Sequence, residues 1–122
     1  MANPKLAPYG LAAQQTLDRL GLLKTLASRI VYGENIGQTF AMAASGNVTA
    51  ALIAKSQLAS LPDDQRGHWI DVPDILHESI LQDGVLIMRA KDNTAAQSFL
   101  SFMRSDKAAT VVNRFGYGVS RP

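Results

Sequence analysis

Cysteine is absent from this sequence, and its absence excludes thiol nucleophiles, thiolate metal sites and disulfide bonds, although it leaves the redox compartment undecided. The two histidines, His68 and His77, do not stand in an H-x-x-x-H spacing beside carboxylates, so we expect no metal site. Neither a G-x-S-x-G elbow nor a G-x-x-x-x-G-K-[ST] phosphate loop occurs. These absences favour a protein that is not an enzyme and holds no cofactor.

Long apolar runs and concentrated charge are missing as well. The longest apolar stretches are too short to span a bilayer, and the first residues lack the charged and apolar regions of a secretion signal. The 12 basic and 10 acidic residues are scattered, which disfavours nucleic acid as a partner. What the chain does have is 47% hydrophobic residues in 122, and this predicts one globular domain with a sizeable core.

Apolar residues at helical spacing predict four helices. The first runs over residues 9–20 and is followed by Gly21, at the position where a residue in the left-handed conformation commonly ends a helix. The second begins at Ile36 and ends before Gly46. Two more follow residues 92–93, which are predicted to cap the first of them. The apolar residues that line this pair are Ala95, Phe99, Phe102 and Met103, then Ala108, Val111, Val112 and Phe115.

Three apolar or β-branched runs predict strands, at residues 29–32, 50–54 and 85–88. The second is continuously apolar, which is typical of a parallel strand covered on both faces. Residues 22–26 are predicted as a turn and residues 61–67 as a polar surface loop. Strands that alternate with helices predict an α/β fold.

Two helix starts stand out as candidate sites for an oxyanion. Tyr9 and Gly10 follow Pro8 at the start of the first helix, and Ile36 and Gly37 open the second. Free N–H groups in a first helical turn, together with the positive end of the macrodipole, bind anions without a cationic side chain. Taken residue by residue, an ordinary helix start remains the alternative interpretation.

Three passages of the chain resemble the periplasmic molybdate-binding proteins of ABC transporters, which are type II periplasmic binding proteins. These are residues 3–15 (NPKLAPYGLAAQQ), residues 32–57 (YGENIGQTFAMAASGNVTAALIAKSQ) and residues 114–118 (RFGYG). The likeness covers nearly the whole chain but only the C-terminal half of such a protein. It implies the second lobe of a clamshell, with a parallel or mixed sheet flanked by helices, plus a C-terminal strand and two helices.

The resemblance also implies a domain division. Residues 1–82 would form the second lobe, with hinge strands near residues 3–6 and 79–82, and residues 83–122 would return to the first lobe. Because the usual cover of the C-terminal segment is missing, we expect apolar faces to be exposed and the chain to form a homo-oligomer. Exchange of the C-terminal segment between copies is one form that such an oligomer could take.

The ligand implied by the resemblance is molybdate or tungstate, held by main-chain N–H groups. The implied contacts are Tyr9 and Ile36, with Gly10 and Gly37 beside them and with Asn35 and Ala54 as secondary positions. Some relatives have a tyrosine hydroxyl at the position of Ala54, and the absent half would supply two hydroxyl ligands, so we expect weakened binding. Lys55 is interpreted as a solvated surface lysine.

The resemblance further implies a periplasmic location and an ABC permease as partner of the full-length parent. Two alternatives stay open. The chain could be a self-associating structural fragment that does not bind an anion, or it could be a lobe for another tetrahedral oxyanion such as sulfate.

Overall fold

The computed structural model describes residues 1–119, and the chain divides into two compact units, Met1–Ile80 and Leu81–Pro122. The first unit holds four α-helices, which are α1 (Pro8–Arg19), α2 (Leu23–Leu26), α3 (Ile36–Ala44) and α4 (Lys55–Ala59). Its 3₁₀ turns are Ala27–Arg29, Asp63–Gln65 and Asp74–Leu76. The second unit has one 3₁₀ turn, Met88–Ala90, followed by α5 (Thr94–Met103) and α6 (Asp106–Arg114).

Helix α1 lies within one residue of its predicted bounds at each end. Pro8 occupies the first helical position, where its missing N–H costs nothing, and Arg19 lies in the last turn, where the macrodipole favours a cation. Gly21 has a φ of +70°, and its N–H donates to Asp18 O while Leu22 N–H donates to Leu17 O. This left-handed termination confirms Gly21 as the C-terminal stop.

The other three long helices are capped by side chains. Asn35 Oδ1 accepts from Gln38 N at the start of α3, and Asn93 Oδ1 accepts from Ala96 N at the start of α5. Ser105 Oγ accepts from Ala108 N at the start of α6. Each cap satisfies one first-turn N–H, so the predicted helices after Ile36 and after Asn93 are confirmed.

The predicted sheet is wrong for residues 1–119. They contain one isolated parallel bridge, between Ala2 and Gly33, and no β-sheet, so the α/β prediction of a parallel or mixed sheet flanked by helices fails, as does its C-terminal strand. Residues 30–32, 50–54 and 85–87 lie outside any helix or turn. The pairing of residues 1–3 with residues 31–33 is limited to the single Ala2–Gly33 bridge and the hydrogen bonds beside it, which is too short to form a strand. An apolar run sets the tendency to extend, whereas a strand also needs a partner to satisfy its backbone groups.

Two smaller corrections concern short helices. Residues 22–26, predicted as a turn, contain the single-turn helix α2, and α4 was not predicted. The assignment of residues 1–82 and 83–122 to two lobes concerns a larger protein and stays a prediction.

The buried apolar residues of the described chain are all alanines, and no large side chain there is fully buried. The expected sizeable core is therefore not built by residues 1–119. Nineteen large hydrophobic residues are instead exposed, which places much of the apolar material at the surface. The buried alanines are Ala2, Ala12, Ala13, Ala54, Ala108 and Ala109.

Candidate anion-binding site

The segments that lead into α1 and α3 lie side by side. Gly33 N–H donates to Met1 O at 3.0 Å, and Asn3 N–H donates to Gly33 O at 2.7 Å. The terminal amino group of Met1 donates to Val31 O, and partial burial lowers the pKa of that amino group below its usual value. The approaches to the two predicted anion contacts are thus fixed together by residues that lie about thirty positions apart in the chain.

Gly10 packs directly against this leading segment. A Cβ at Gly10 would lie 2.5 Å from Ala2 O and 2.7 Å from Asn3 O, closer than any side chain tolerates. The N–H of Gly10 already donates to Ala7 O at 2.9 Å. The close approach predicted at Gly10 is therefore made to the protein's own backbone, and its contact with an anion stays a prediction. Tyr9 precedes it in the first turn of α1 and is half-buried.

Asn35 organises the start of α3. Its side chain accepts from Gln38 N at 2.9 Å, and its carbonyl oxygen accepts from both the backbone N–H and the hydroxyl of Thr39. Gln38 in turn uses its Oε1 to accept from Glu34 N at 2.6 Å. The side chain of Asn35 is thus engaged as a cap, and its secondary contact with an anion stays a prediction. Glu34 itself is exposed.

Ile36 and Gly37 are the first two residues of α3, and their N–H groups have no acceptor among residues 1–119. Gly37 is exposed and Ile36 is half-buried, so solvent reaches this end of the helix. Free donors at a helix start are of the kind that bind anions, and the contact of Ile36 and Gly37 with an anion stays a prediction, as does that of Tyr9.

Gln57 connects α3 to α4 and was not identified from the sequence. Its Nε2 donates to Ile36 O at 3.0 Å, and its Oε1 accepts from Ala54 N at 3.1 Å. The N–H of the buried Ala54 is therefore engaged, and a direct role for Ala54 in anion binding stays a prediction. The sequence offered only a weak signal for this role. Gln57 is the third residue of α4, where a capping box has Glu or Gln, but the N-cap residue Ala54 lacks the hydroxyl that the motif requires.

Gln57→Ala is expected to lower the free energy of unfolding by about 1–3 kcal/mol, because the buried Ala54 N–H then loses its acceptor and Ile36 O loses its donor. Urea denaturation monitored by circular dichroism measures the change. The exposed Gln82→Ala is the matched control and should stay within about 0.5 kcal/mol of the parent chain. Equal midpoints for the two variants would contradict the bridging role.

The side chain of Lys55, the first residue of α4, contacts an acidic and an aromatic side chain. Its Nζ lies 2.7 Å from Asp71 Oδ2 and 5.6 Å from the centre of the Trp69 ring. Both side chains of the ion pair are about half exposed, so the pair contributes no more than about 1 kcal/mol. The charge of Lys55 is matched by a carboxylate and is not held for an anion.

Other features of the described chain suit an anion or a metal less well. A shallow groove along α1 is lined by Leu11, Gln14, Gln15, Asp18 and Leu23, and its carboxylate opposes a dianion. Residues 1–119 contain no group of three or more side chains able to ligate a metal together. Within the same range, no helix has both the length and the apolarity that crossing a bilayer demands.

Comparison with protein families identifies the broader class. The model of the family described as bacterial extracellular solute-binding protein matches residues 1–118. The chain belongs to this family. The family description is that of a transport component that binds a solute, and not that of an enzyme.

Individual relatives of this solute-binding protein are more specific. The chain is 40% identical over 119 residues to the molybdate-binding protein ModA of Azotobacter vinelandii, covering 98% of this chain and 47% of the relative. It is 34% identical over 117 residues to the ModA protein of Rhodobacter capsulatus, covering 96% of this chain and 45% of that one. The chain thus spans about half the length of these relatives.

A solved structure agrees with these matches. The periplasmic molybdate-binding protein of Azotobacter vinelandii is similar with a TM-score of 0.85 at 31% identity, over 99% of this chain and 53% of that one. The resemblance stated from the sequence is confirmed. This similarity holds although residues 1–119 of the chain contain no β-sheet.

Proposed function

We propose that this chain is the molybdate-binding component, or the half of one, of an ABC transport system, and that it also accepts tungstate. The observation that carries the proposal is the 40% identity over nearly the whole chain to a protein named for molybdate binding. The location we propose is the periplasm, because the structural neighbour is named as a periplasmic protein. The partner we propose is an ABC permease.

The anion is held by main-chain dipoles. Ile36 and Gly37 donate from the start of α3, and Tyr9 donates from the start of α1, whose approach is fixed beside that of α3. Hydrogen bonds to a charged group contribute about 1.5–3 kcal/mol each, so a few converging donors offset much of the desolvation cost of a dianion. Asn35 and Ala54 border the site, and Gly10 lets α1 lie close to its leading segment.

This binding involves no catalysis, metal or cofactor, because dipoles that hold an oxyanion need none of them. The chain spans about half of each relative, so we propose that the anion has further ligands in the half that is not matched. In the full-length protein, the two lobes would then close on the anion, because the closed state binds the anion more tightly than the open state does.

Isothermal titration of the purified chain with sodium molybdate, with sodium sulfate as control, tests the function. We expect weak saturable binding of molybdate and none of sulfate, since the two dianions carry the same charge and differ in size. A nanomolar dissociation constant would contradict the half-site, and equal heats with both anions would indicate a receptor for another tetrahedral oxyanion. If neither the chain alone nor the chain mixed with the unmatched half gave heat with molybdate, the chain would be a structural fragment that does not bind the anion.

The chain alone is expected to form a homo-oligomer, in one form by exchange of the C-terminal segment. Nineteen large hydrophobic side chains are exposed among residues 1–119, and apolar surface of that extent promotes association. Light scattering at micromolar concentration should give a mass above the 13.1 kDa of one chain. A mass of one chain across that concentration range would contradict the expectation.

A further inference from the structure

Two buried glycines lie where the chain approaches the starts of α1 and α3. Gly10 is in the first turn of α1, and Gly33 lies two residues before the N-cap of α3. Neither glycine has a positive φ, so the backbone conformation does not demand glycine at either position. Both positions instead lack room for a Cβ, which makes close approach of neighbouring atoms the reason for both residues.

The segment that precedes α1 joins the two glycines. A Cβ at Gly10 would lie 2.5 Å from Ala2 O and 2.7 Å from Asn3 O. Ala2 forms the bridge to Gly33, and Asn3 N–H donates to Gly33 O at 2.7 Å. Asn3 O accepts from the N–H of Ala7, the N-cap residue of α1, at 3.0 Å. The start of α1 is therefore held to Gly33 by backbone contacts.

Thr39 continues these contacts into α3. A Cβ at Gly33 would lie 2.5 Å from Thr39 Oγ1 and 2.9 Å from Thr39 N, so the threonine packs directly on that glycine. Thr39 is 2% exposed, and its hydroxyl and its N–H donate to Asn35 O at 3.0 Å and 3.1 Å. Because the residue is buried and both groups are bonded, its hydroxyl cannot turn aside for a methyl group at residue 33.

These residues form a continuous line of contacts from the first turn of α1 to the first turn of α3. We call this line the seam, and its members are Ala2, Asn3, Gly10, Gly33 and Thr39. A closely packed interior has little void to absorb an added methyl group, so it passes the displacement on. A methyl group added within the seam must therefore move one helix start relative to the other.

We infer that Gly33 and Thr39 are positioning residues for the oxyanion, because they set the separation between the first turns of α1 and α3. The inference rests on the proposed function, in which Tyr9 and Ile36 donate to one anion from these two turns. A binding site must hold its groups to within about 0.5 Å. To admit a Cβ at Gly33, the Thr39 hydroxyl would have to retreat from 2.5 Å to about 3.4 Å, which exceeds that tolerance.

Gly33→Ala tests the inference by isothermal titration with sodium molybdate. The titration is made on the chain alone and on the chain mixed with the unmatched half of the Azotobacter vinelandii protein. We expect the affinity to fall by about tenfold or more, which is the factor that loss of one hydrogen bond to a charged group gives. An affinity within about threefold of the parent would overturn the inference.

Two threonines provide a matched pair that keeps the inference testable if Gly33→Ala does not fold. Thr16 in α1 is 4% exposed, and its Oγ1 donates to Ala12 O at 2.8 Å. It resembles Thr39 in burial and in bonding but lies outside the seam. Thr16→Val and Thr39→Val should therefore lower Tm by similar amounts, since each loses the hydrogen bond of one buried hydroxyl.

The two valine variants should differ in anion binding. Thr39→Val puts a methyl group against Gly33 and should weaken molybdate binding by about fivefold or more, whereas Thr16→Val should change it by less than about twofold. Thr39→Ser keeps the hydroxyl and should bind as the parent does. Equal affinities of the two valine variants would make Thr39 a structural residue only and would overturn its positioning role.

Crystal structures of the parent chain and of Gly33→Ala, both without anion, measure the separation between Tyr9 N and Ile36 N. We expect this separation to differ by more than about 0.5 Å between the two. An unchanged separation would overturn the inference even if the affinity fell. A parent chain that binds no molybdate, alone or with the unmatched half, contradicts the proposed function, whereas the crystal structures test the seam without any anion.

Discussion

Ile36→Pro is expected to weaken molybdate binding by at least about tenfold while leaving the fold intact. The substitution removes one main-chain N–H, and a hydrogen bond to a charged group is worth about 1.5–3 kcal/mol, which corresponds to a factor of at least ten in affinity. Side-chain substitutions leave a main-chain donor in place, so proline is the change that addresses it directly.

The position tolerates proline for two structural reasons. Ile36 is the first residue of α3, where proline fits the helix and no intrahelical bond is lost. Asn35, which would precede the proline, has φ −146° and ψ 172°, an extended conformation that a following proline permits. Ile36 O also remains as the acceptor for Gln57 Nε2.

The measurement is isothermal titration with molybdate, on the chain alone and on the chain co-refolded with the unmatched half of the Azotobacter vinelandii protein. Ile36→Ala is the matched control, because it removes the side chain and keeps the N–H. We expect the alanine variant to stay within about threefold of the parent. Equal affinities of the proline variant and the parent would remove Ile36 from the site.

Gly10→Ala is expected to lower the free energy of unfolding by about 2–4 kcal/mol, which is a fall of about 10–20 °C in Tm for a body of this size. The new methyl group would lie 2.5 Å from Ala2 O and 2.7 Å from the carbonyl carbon and oxygen of Asn3. These are backbone atoms, so relief requires α1 to move away from the leading segment. That movement breaks the packing over Ala2, which is fully buried.

Differential scanning calorimetry of Gly10→Ala beside Gly118→Ala measures the effect. A Cβ at Gly118 meets no atom of residues 1–119 within 4 Å, so the control should shift Tm by no more than about 3 °C. A Gly10→Ala variant as stable as this control would mean that α1 and the segment before it do not pack as described.

The sequence predicted those features that local patterns determine. Apolar spacing located α1, α3, α5 and α6, and Gly21 and Gly46 ended the first two of these with φ of +70° and +73°. The helices α2 and α4 were missed because a single turn is too short to show a helical period. The strand prediction at residues 50–54 is wrong because an apolar composition indicates extension and says nothing of a partner.

For the candidate site as well, the sequence predicted what local patterns determine and missed the contacts between residues that are distant in the chain. Ile36 and Gly37 were found at a helix start that the local pattern specifies, and the structure leaves their N–H groups without an acceptor within residues 1–119. The bridge from Ala2 to Gly33 and the two bonds of Gln57 join residues that are distant in the chain. No spacing or composition rule reports such contacts, so the adjacency of the two approaches could not be predicted.

The alanine interior has a calorimetric consequence. The increase in heat capacity on unfolding comes chiefly from apolar surface that passes from the protein interior into water. Here the buried apolar residues within 1–119 are six alanines. The chain alone therefore has a small heat-capacity change and a shallow stability curve, with stability that varies little between cold and warm solution. A steeply curved dependence of stability on temperature, measured by calorimetry, would contradict this description of the interior.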